Sequence, residues 1–123
     1  MSIEPGIPTL GPLEEQVMHI LWDHGKLTVR EVIEFLPGDP AYTTIATVLR
    51  HLGRKGMVTI VKDGRTARHS ALMNREEYTA GVMDQVLSTS RDRSASILHF
   101  VDTITATDRE LLLEYLQQQE GRK

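Results

Sequence analysis

The chain has 123 residues, of which 25% are charged and 40% are hydrophobic, a composition typical of a soluble protein with one or two small domains. It has no cysteine, so disulfides, thiolate metal sites and cysteine nucleophiles are excluded, and a reducing, cytoplasmic location is expected. No apolar run approaches ~18 residues, and the N-terminus lacks the basic and hydrophobic regions of a signal peptide. We therefore expect no membrane insertion.

The net charge of −3 hides an uneven distribution of charge along the chain. Residues 1–40 carry two cations and seven anions, residues 41–72 carry six cations and one anion, and residues 73–123 carry six cations and nine anions. A basic segment inside an acidic protein is typical of a surface that contacts nucleic acid. The alternative is a solvated cluster of charge that matches the acidic segment before it.

The first part of the chain predicts an arm followed by two helices. Residues 1–9 contain two prolines and predict a flexible arm. Gly11-Pro12 is a typical helix start, and the helix that follows is expected to end at Gly25. Thr28 and Glu31 have the spacing of a capping box, which predicts a second helix ending near Leu36.

Residues 41–56 predict a third helix with two different faces. Ile45, Val48, Leu49 and Leu52 form an apolar stripe at helical spacing. The other side carries threonines and cations. A helix of about 14 residues is roughly 21 Å long, which suits a DNA major groove. Two short helices followed by this one predict a helix-turn-helix, with the third helix in the position that contacts bases.

Residues 57–72 predict a β-hairpin with its turn at Asp63-Gly64. Lys62, Arg65 and Arg68 cluster around the tip. A basic hairpin directly after a base-contacting helix is typical of a DNA-binding wing. The alternative is a hairpin that covers the edge of the core, with its cations protecting the strands from aggregation.

The remaining residues predict three short amphipathic helices. The first is capped by Asn74 to Glu77, the second covers about 94–103, and the third is expected to begin at a capping box formed by Thr107 and Glu110. Such helices cannot bury their apolar sides on themselves, so we expect a twofold partner, although a monomer in which they fold back is the alternative. The predicted dimer contacts are Tyr78, Val82, Met83, Val86, Leu98, Phe100, Val101, Leu112, Tyr115 and Leu116.

These elements predict a mainly α fold with a small β wing. A winged helix-turn-helix DNA-binding domain is expected over residues 1–73, and a helical dimerisation domain over 74–123. Thr43, Thr44, Thr47 and Arg50 are predicted to contact base edges, because threonine and arginine side chains bind the groups exposed there. The predicted phosphate or sugar contacts are Tyr42, His51, Arg54, Lys55, Lys62, Arg65 and Arg68.

With these residues identified, the chain resembles the penicillinase-repressor family, the BlaI/MecI/CopY-type winged-helix repressors. The resemblance covers about residues 10–118. The first helix matches the pattern Leu-x-x-x-Glu-x-x-Val-Met-x-x-x-Trp through Leu10, Glu14 or Glu15, Val17, Met18 and Trp22. The third helix matches in Tyr42-Thr43-Thr44-Ile45, Thr47-Val48-Leu49, Leu52 and Lys55-Gly56, and the wing matches around Asp63-Gly64-Arg65 and His69.

The resemblance implies a homodimeric repressor that binds double-stranded operator DNA at an inverted repeat. It also implies a signal pathway, because some members are inactivated when a membrane sensor-protease triggers cleavage at an Asn-Phe pair in the dimerisation region. The matching segment here is Leu98-His99-Phe100-Val101, so His99-Phe100 is the corresponding cleavage candidate, with histidine in place of asparagine. Copper-responsive relatives use a C-terminal cysteine motif, which this chain lacks.

Other classes of function have weaker support in the sequence. No Gly-flanked serine, phosphate loop or spaced carboxylate pair is present, so we expect no catalysis. The five histidines are scattered, so we expect no metal and no cofactor. A winged-helix regulator that binds a small molecule, with Tyr78, Phe100, Tyr115 and the methionines lining a pocket, stays open as the alternative. A winged helix used only for protein contacts conflicts with the basic segment 41–72.

Overall fold

The computed structural model describes residues 6–121. Helices and a single hairpin make up the regular structure of these residues, which matches the predicted fold class. The elements in chain order are α1 Pro12–His24, α2 Val29–Phe35, α3 Tyr42–Arg54, β1 Val58–Asp63, β2 Thr66–Ala71, α4 Arg75–Ser88, α5 Arg93–Thr103 and α6 Ala106–Glu120.

The first two helices begin where the sequence predicts. At α1, the Gly11 amide donates a hydrogen bond of 2.8 Å to Glu14 Oε1, and proline occupies the first turn. At α2, the Glu31 amide donates to Thr28 Oγ1 at 3.2 Å while the Thr28 amide donates to Glu31 Oε1 at 2.9 Å. The predicted capping box is therefore confirmed, and it satisfies amide groups that have no partner within the helix.

The hairpin pairs β1 with β2 in antiparallel register, with Val58 opposite Ala71 and Asp63 opposite Thr66. Its two-residue loop is therefore Gly64-Arg65, where Gly64 adopts a φ of 65° that favours glycine. The hairpin is also hydrogen-bonded to the segment between α1 and α2, because Leu27 and His69 exchange backbone hydrogen bonds of 2.7 and 3.0 Å.

The core of the winged helix lies between α1, α2, α3 and the base of the hairpin. Its buried side chains come from the apolar stripes that the helical periodicity predicted. They are Val17, Met18, Leu21, Leu27, Val29, Val32, Leu36, Ile45, Leu49, Leu52, Met57 and Val58. Burial of these aliphatic side chains stabilises the unit and holds the opposite face of α3 outward.

The first turns of α4 are attached to α1. Trp22 Nε1 donates a hydrogen bond of 2.9 Å to the Met73 carbonyl, the rings of Trp22 and Tyr78 lie 5.5 Å apart, and Arg75 pairs with Asp23 at 2.7 Å. The chain divides into two compact units, Met1–Val82 and Met83–Lys123. The first unit thus extends beyond residue 73, and the division of DNA binding and dimerisation at 73/74 stays a prediction.

The segment before α1 is not free along its whole length. Residues 1–5 of the predicted arm lie outside the described residues. Thr9 accepts a hydrogen bond of 2.8 Å from Lys55 Nζ, and Ile7 lies against Gly81 so closely that a Cβ at Gly81 would collide with it. The prediction of a flexible arm is therefore wrong for these two residues, because long-range partners hold them.

The second unit has well-formed helix starts. Asp92 caps α5 by accepting from the Ala95 amide at 3.0 Å, and Arg93 pairs with Asp84 at 2.6 Å. At α6 the cap is Thr105, whose Oγ1 accepts from the Asp108 amide at 3.1 Å. The predicted cap at Thr107 is wrong. Thr105 and Asp108 have the same three-residue spacing as Thr107 and Glu110, and the helix begins at this earlier pair.

The second unit has no buried side chain in its described part, residues 83–121. Its exposed large apolar side chains are Met83, Val86, Ile97, Leu98, Phe100, Leu111, Leu112, Leu113, Tyr115 and Leu116. Among residues 6–121, no helix has both the length and the apolar character that crossing a membrane requires.

Candidate nucleic-acid interface

α3 separates its side chains as the sequence predicted. Ile45, Leu49 and Leu52 are fully or almost fully buried, whereas the predicted contact residues on the other side remain at the surface. The exposed members are Tyr42, Thr43, Thr44, Arg50, His51 and Arg54, and Thr47 is half-buried. The burial of the aliphatic stripe fixes the rotation of α3 about its axis and thereby decides which side chains face outward.

Two contacts shape the outer face of α3. Arg50 Nη2 donates a hydrogen bond of 3.3 Å to Thr47 Oγ1, so the two predicted base-contacting residues lie side by side. At the start of the helix, the guanidinium of Arg30 lies 5.5 Å from the centre of the Tyr42 ring. Sequence reasoning did not select Arg30, because its position on α2 gave no signal that it would lie beside α3.

The wing cations fall into two groups. Lys62 near the end of β1 and Arg65 in the loop are exposed, as a role in phosphate binding requires. Arg68 on β2 instead donates from Nη1 to Glu31 Oε1 at 2.7 Å and to the Lys26 carbonyl at 3.5 Å. The structure therefore places Arg68 against the start of α2, next to the capping box.

Lys55 is also engaged within the chain. Its Nζ lies 2.8 Å from Glu14 Oε1 and 2.8 Å from the Thr9 carbonyl. Burial would raise the pKa of Glu14, but hydrogen bonds from the Gly11 amide and from Lys55 outweigh it and lower that pKa. A hydrogen bond from the Thr28 amide is the largest contribution to the lowered pKa of Glu31, with Arg68 adding to it. Both carboxylates therefore remain charged partners for their cations.

A cleft of about 390 Å³ separates α3 from the wing. Arg50 and Arg54 lie on its α3 side and Ile60 on its β1 side, with His69 among the lining residues. His69 is buried, and burial lowers its pKa below the usual value even though a hydrogen bond to the Leu27 backbone acts in the opposite direction. The imidazole is therefore favoured in its neutral form at this position.

Within residues 6–121, no group of three histidine or carboxylate side chains is placed to bind a metal ion.

The predicted dimer contacts are not all in one environment. Tyr78 is half-buried against Trp22 in the first unit, and burial raises its pKa. Val82 and Val101 are also half-buried. The exposed members are Met83, Val86, Leu98, Phe100, Leu112, Tyr115 and Leu116. The candidate cleavage residues His99 and Phe100 are exposed within α5.

The arrangement of α1 to α3 followed by a two-stranded hairpin defines a winged helix, a class of DNA-binding fold. Comparison with known proteins narrows this class. The family profile described as penicillinase repressor matches residues 10–118. The chain therefore belongs to the penicillinase repressor family, in agreement with the resemblance seen in its motifs.

Two relatives and one solved structure illustrate this membership. The transcriptional regulator BlaI of Mycobacterium tuberculosis is 38% identical over 118 residues, which cover 91% of this chain and 86% of the relative. The penicillinase repressor of Bacillus licheniformis is 24% identical over 123 residues, covering 95% and 96% of the two chains. The solution structure of the B. licheniformis BlaI monomeric form with the blaP half-operator is 30% identical and has a TM-score of 0.51, covering 58% of this chain and 90% of the other.

Proposed function

We propose that this protein is a DNA-binding transcriptional repressor that acts as a homodimer on an inverted-repeat operator. The observation that carries the proposal is the division of α3 into a buried aliphatic face and an exposed threonine-arginine face, flanked by a basic wing. The relative solved with a half-operator supports operator binding, and an operator that has halves is consistent with a dimer.

The exposed side chains suggest two kinds of DNA contact, one to base edges and one to the sugar-phosphate backbone. Thr43, Thr44 and Thr47 offer hydroxyl and methyl groups to base edges, and Arg50 beside them can bind guanine. Tyr42, His51, Arg54, Lys62 and Arg65 surround this group and would bind phosphate or sugar. Phosphate contacts supply affinity and its dependence on salt, whereas base contacts supply sequence preference.

The dimer is supported by the second unit. Ten large apolar side chains between residues 83 and 121 are exposed, and exposed apolar surface can mark a site of protein–protein contact. A twofold partner would bury the same face from both chains. A dimer would also carry two copies of α3, one for each half-site of an inverted repeat.

The test is selection of bound duplexes from a random DNA pool, followed by affinity measurements at several salt concentrations. We expect a twofold-symmetric site with half-sites about one helical turn apart and a steep loss of affinity with salt. Weak binding without sequence preference would contradict the proposal. Sedimentation of the protein alone and with the selected duplex then gives the number of chains per site.

We further propose that the repressor is released when α5 is cut between His99 and Phe100 in response to a β-lactam signalled by a membrane sensor-protease. The family description, penicillinase repressor, supports this signal. Both residues are exposed in α5, and a cut there would separate α6 from the rest of the chain.

This release can be tested in two stages. A variant with a specific protease site inserted between residues 99 and 100 is cleaved after it has bound the selected duplex, and we expect loss of the dimer and of operator binding. An uncut sample of the same variant is the control. Mass spectrometry of the protein from β-lactam-treated cells should then show a fragment ending at His99, and only intact protein in induced cells would contradict the proposal.

A further inference from the structure

Arg68 lies at a junction between the wing and α2. Its guanidinium donates to Glu31 Oε1 at 2.7 Å, and the same oxygen accepts the Thr28 amide at 2.9 Å. The carboxylate that starts α2 therefore also binds a strand of the wing, 37 residues later in the chain. The adjacent residue on β2, His69, is tied to Leu27 by two backbone hydrogen bonds.

The strand geometry places Arg68 away from α3. Successive side chains on a strand point to opposite faces of the hairpin. His69 and Ile60 line the cleft against α3 and are paired with each other across the strands. Arg68 is adjacent to His69 on β2, so its side chain lies on the face of the hairpin opposite the cleft. Lys62, which lies two residues after Ile60, shares the face that lines the cleft.

We propose that Arg68 is a positioning residue that sets the wing relative to α2 and α3 through Glu31, and is not a phosphate ligand. The proposal rests on DNA binding as proposed above. Glu31 restrains the α2 end of this contact through the capping box, so the ion pair adds a side-chain link to α2 beside the backbone hydrogen bonds between Leu27 and His69. Lys62 and Arg65, which are exposed, would then contact phosphate from a wing held at the correct angle.

The decisive variant is Glu31→Gln. Glutamine at this position still completes a capping box, so α2 keeps its start, and no cation is lost. If Arg68 binds phosphate, removing its competing carboxylate frees the guanidinium, and affinity for the selected duplex should rise. If Arg68 positions the wing, affinity should fall by about two- to fivefold, because a partly exposed ion pair contributes only a small free energy. Glu34→Gln, an exposed acid on the same helix, controls for the change in net charge.

The salt dependence of binding supplies an independent readout. A residue that neutralises one phosphate changes the slope of log K against log salt by about 0.9. We expect Lys62→Ala to reduce the slope by this amount and Arg68→Ala to weaken binding without changing it. In the Glu31→Gln background the penalty of Lys62→Ala should shrink, because a displaced wing no longer brings Lys62 to the phosphate. Thermal unfolding of each variant confirms that it is folded.

Each outcome separates the two proposals. Higher or unchanged affinity in Glu31→Gln, or a slope reduced by about 0.9 in Arg68→Ala, would overturn the positioning role while leaving DNA binding intact. Loss of affinity with an unchanged slope supports it. If the unmodified protein itself shows no sequence preference and no salt-dependent binding, the proposed function fails before the role of Arg68 is tested.

Discussion

The two units of this chain are built from helices of the same kind but differ in where their apolar faces go. In the first unit, α1, α2 and α3 bury aliphatic side chains against one another and against the hairpin. In the second unit, none of the described residues 83–121 is buried, although leucines are frequent. The comparison teaches that an amphipathic pattern identifies a face that must be covered, but not whether the same chain covers it.

The largest expected effect is the loss of stability caused by a cavity in the core of the first unit. Leu49→Ala removes a fully buried side chain of α3 and should lower the free energy of unfolding by about 2–5 kcal/mol. Denaturation in urea at two protein concentrations measures it. The loss should be the same at both concentrations, since the core lies within one chain. A loss well below 1 kcal/mol would mean that α3 is packed differently.

The matching change in the second unit should act on assembly. Leu116→Ala removes an exposed side chain of α6 that a partner would cover. Burial of each leucine side chain would stabilise the dimer by about 1.5–3 kcal/mol. Because a twofold dimer contains the residue twice, we expect the dissociation constant to rise at least about tenfold. Sedimentation over a range of concentrations measures this, and Leu113→Ala, at an exposed leucine outside the predicted contact set, is the matched control.

The outer face of α3 supplies the next effect. Arg50→Ala should weaken binding to the selected duplex by about 1–3 kcal/mol and relax preference at one position of each half-site. Competition with duplexes mutated base by base measures both changes. Lys62→Ala should instead weaken all sequences alike. If Arg50→Ala left affinity and preference unchanged, the assignment of this face to base contacts would be wrong.

The helix caps allow a finer comparison. Thr105→Ala should destabilise the start of α6 by about 0.5–2 kcal/mol, because it leaves the Asp108 amide without its side-chain acceptor. Thr107→Ala should have little effect, since Thr107 lies inside the helix. Circular dichroism during thermal unfolding compares the two variants. Equal effects would show that α6 begins differently in solution.

The smallest expected effect depends on pH and belongs to the first unit. The pKa of His69 is lowered by burial, so the unfolded chain binds a proton more readily than the folded chain. Stability contributed by the neutral imidazole is therefore present above about pH 6.5 and is lost as pH falls below that value. Melting temperatures between about pH 7.5 and pH 5.5 should show this loss, and His69→Gln should reduce it.

The sequence by itself determined the elements whose signals are local. The capping box of Thr28 and Glu31, the aliphatic stripe of α3 and the hairpin around Gly64 each depend on residues a few positions apart, so spacing alone predicted them. The family resemblance arose from the same motifs, and the match over residues 10–118 confirmed it.

Tertiary structure decided what depends on distant partners. Lys55 and Arg68 were assigned to phosphate because they are cations in a basic segment, but the structure pairs them with Glu14 and Glu31, 41 and 37 residues away. Tyr78 carries an apolar ring at helical spacing, and the structure places it beside Trp22 in the first unit. Charge and periodicity show that a side chain needs a partner, and the packing of the whole chain decides which partner it finds.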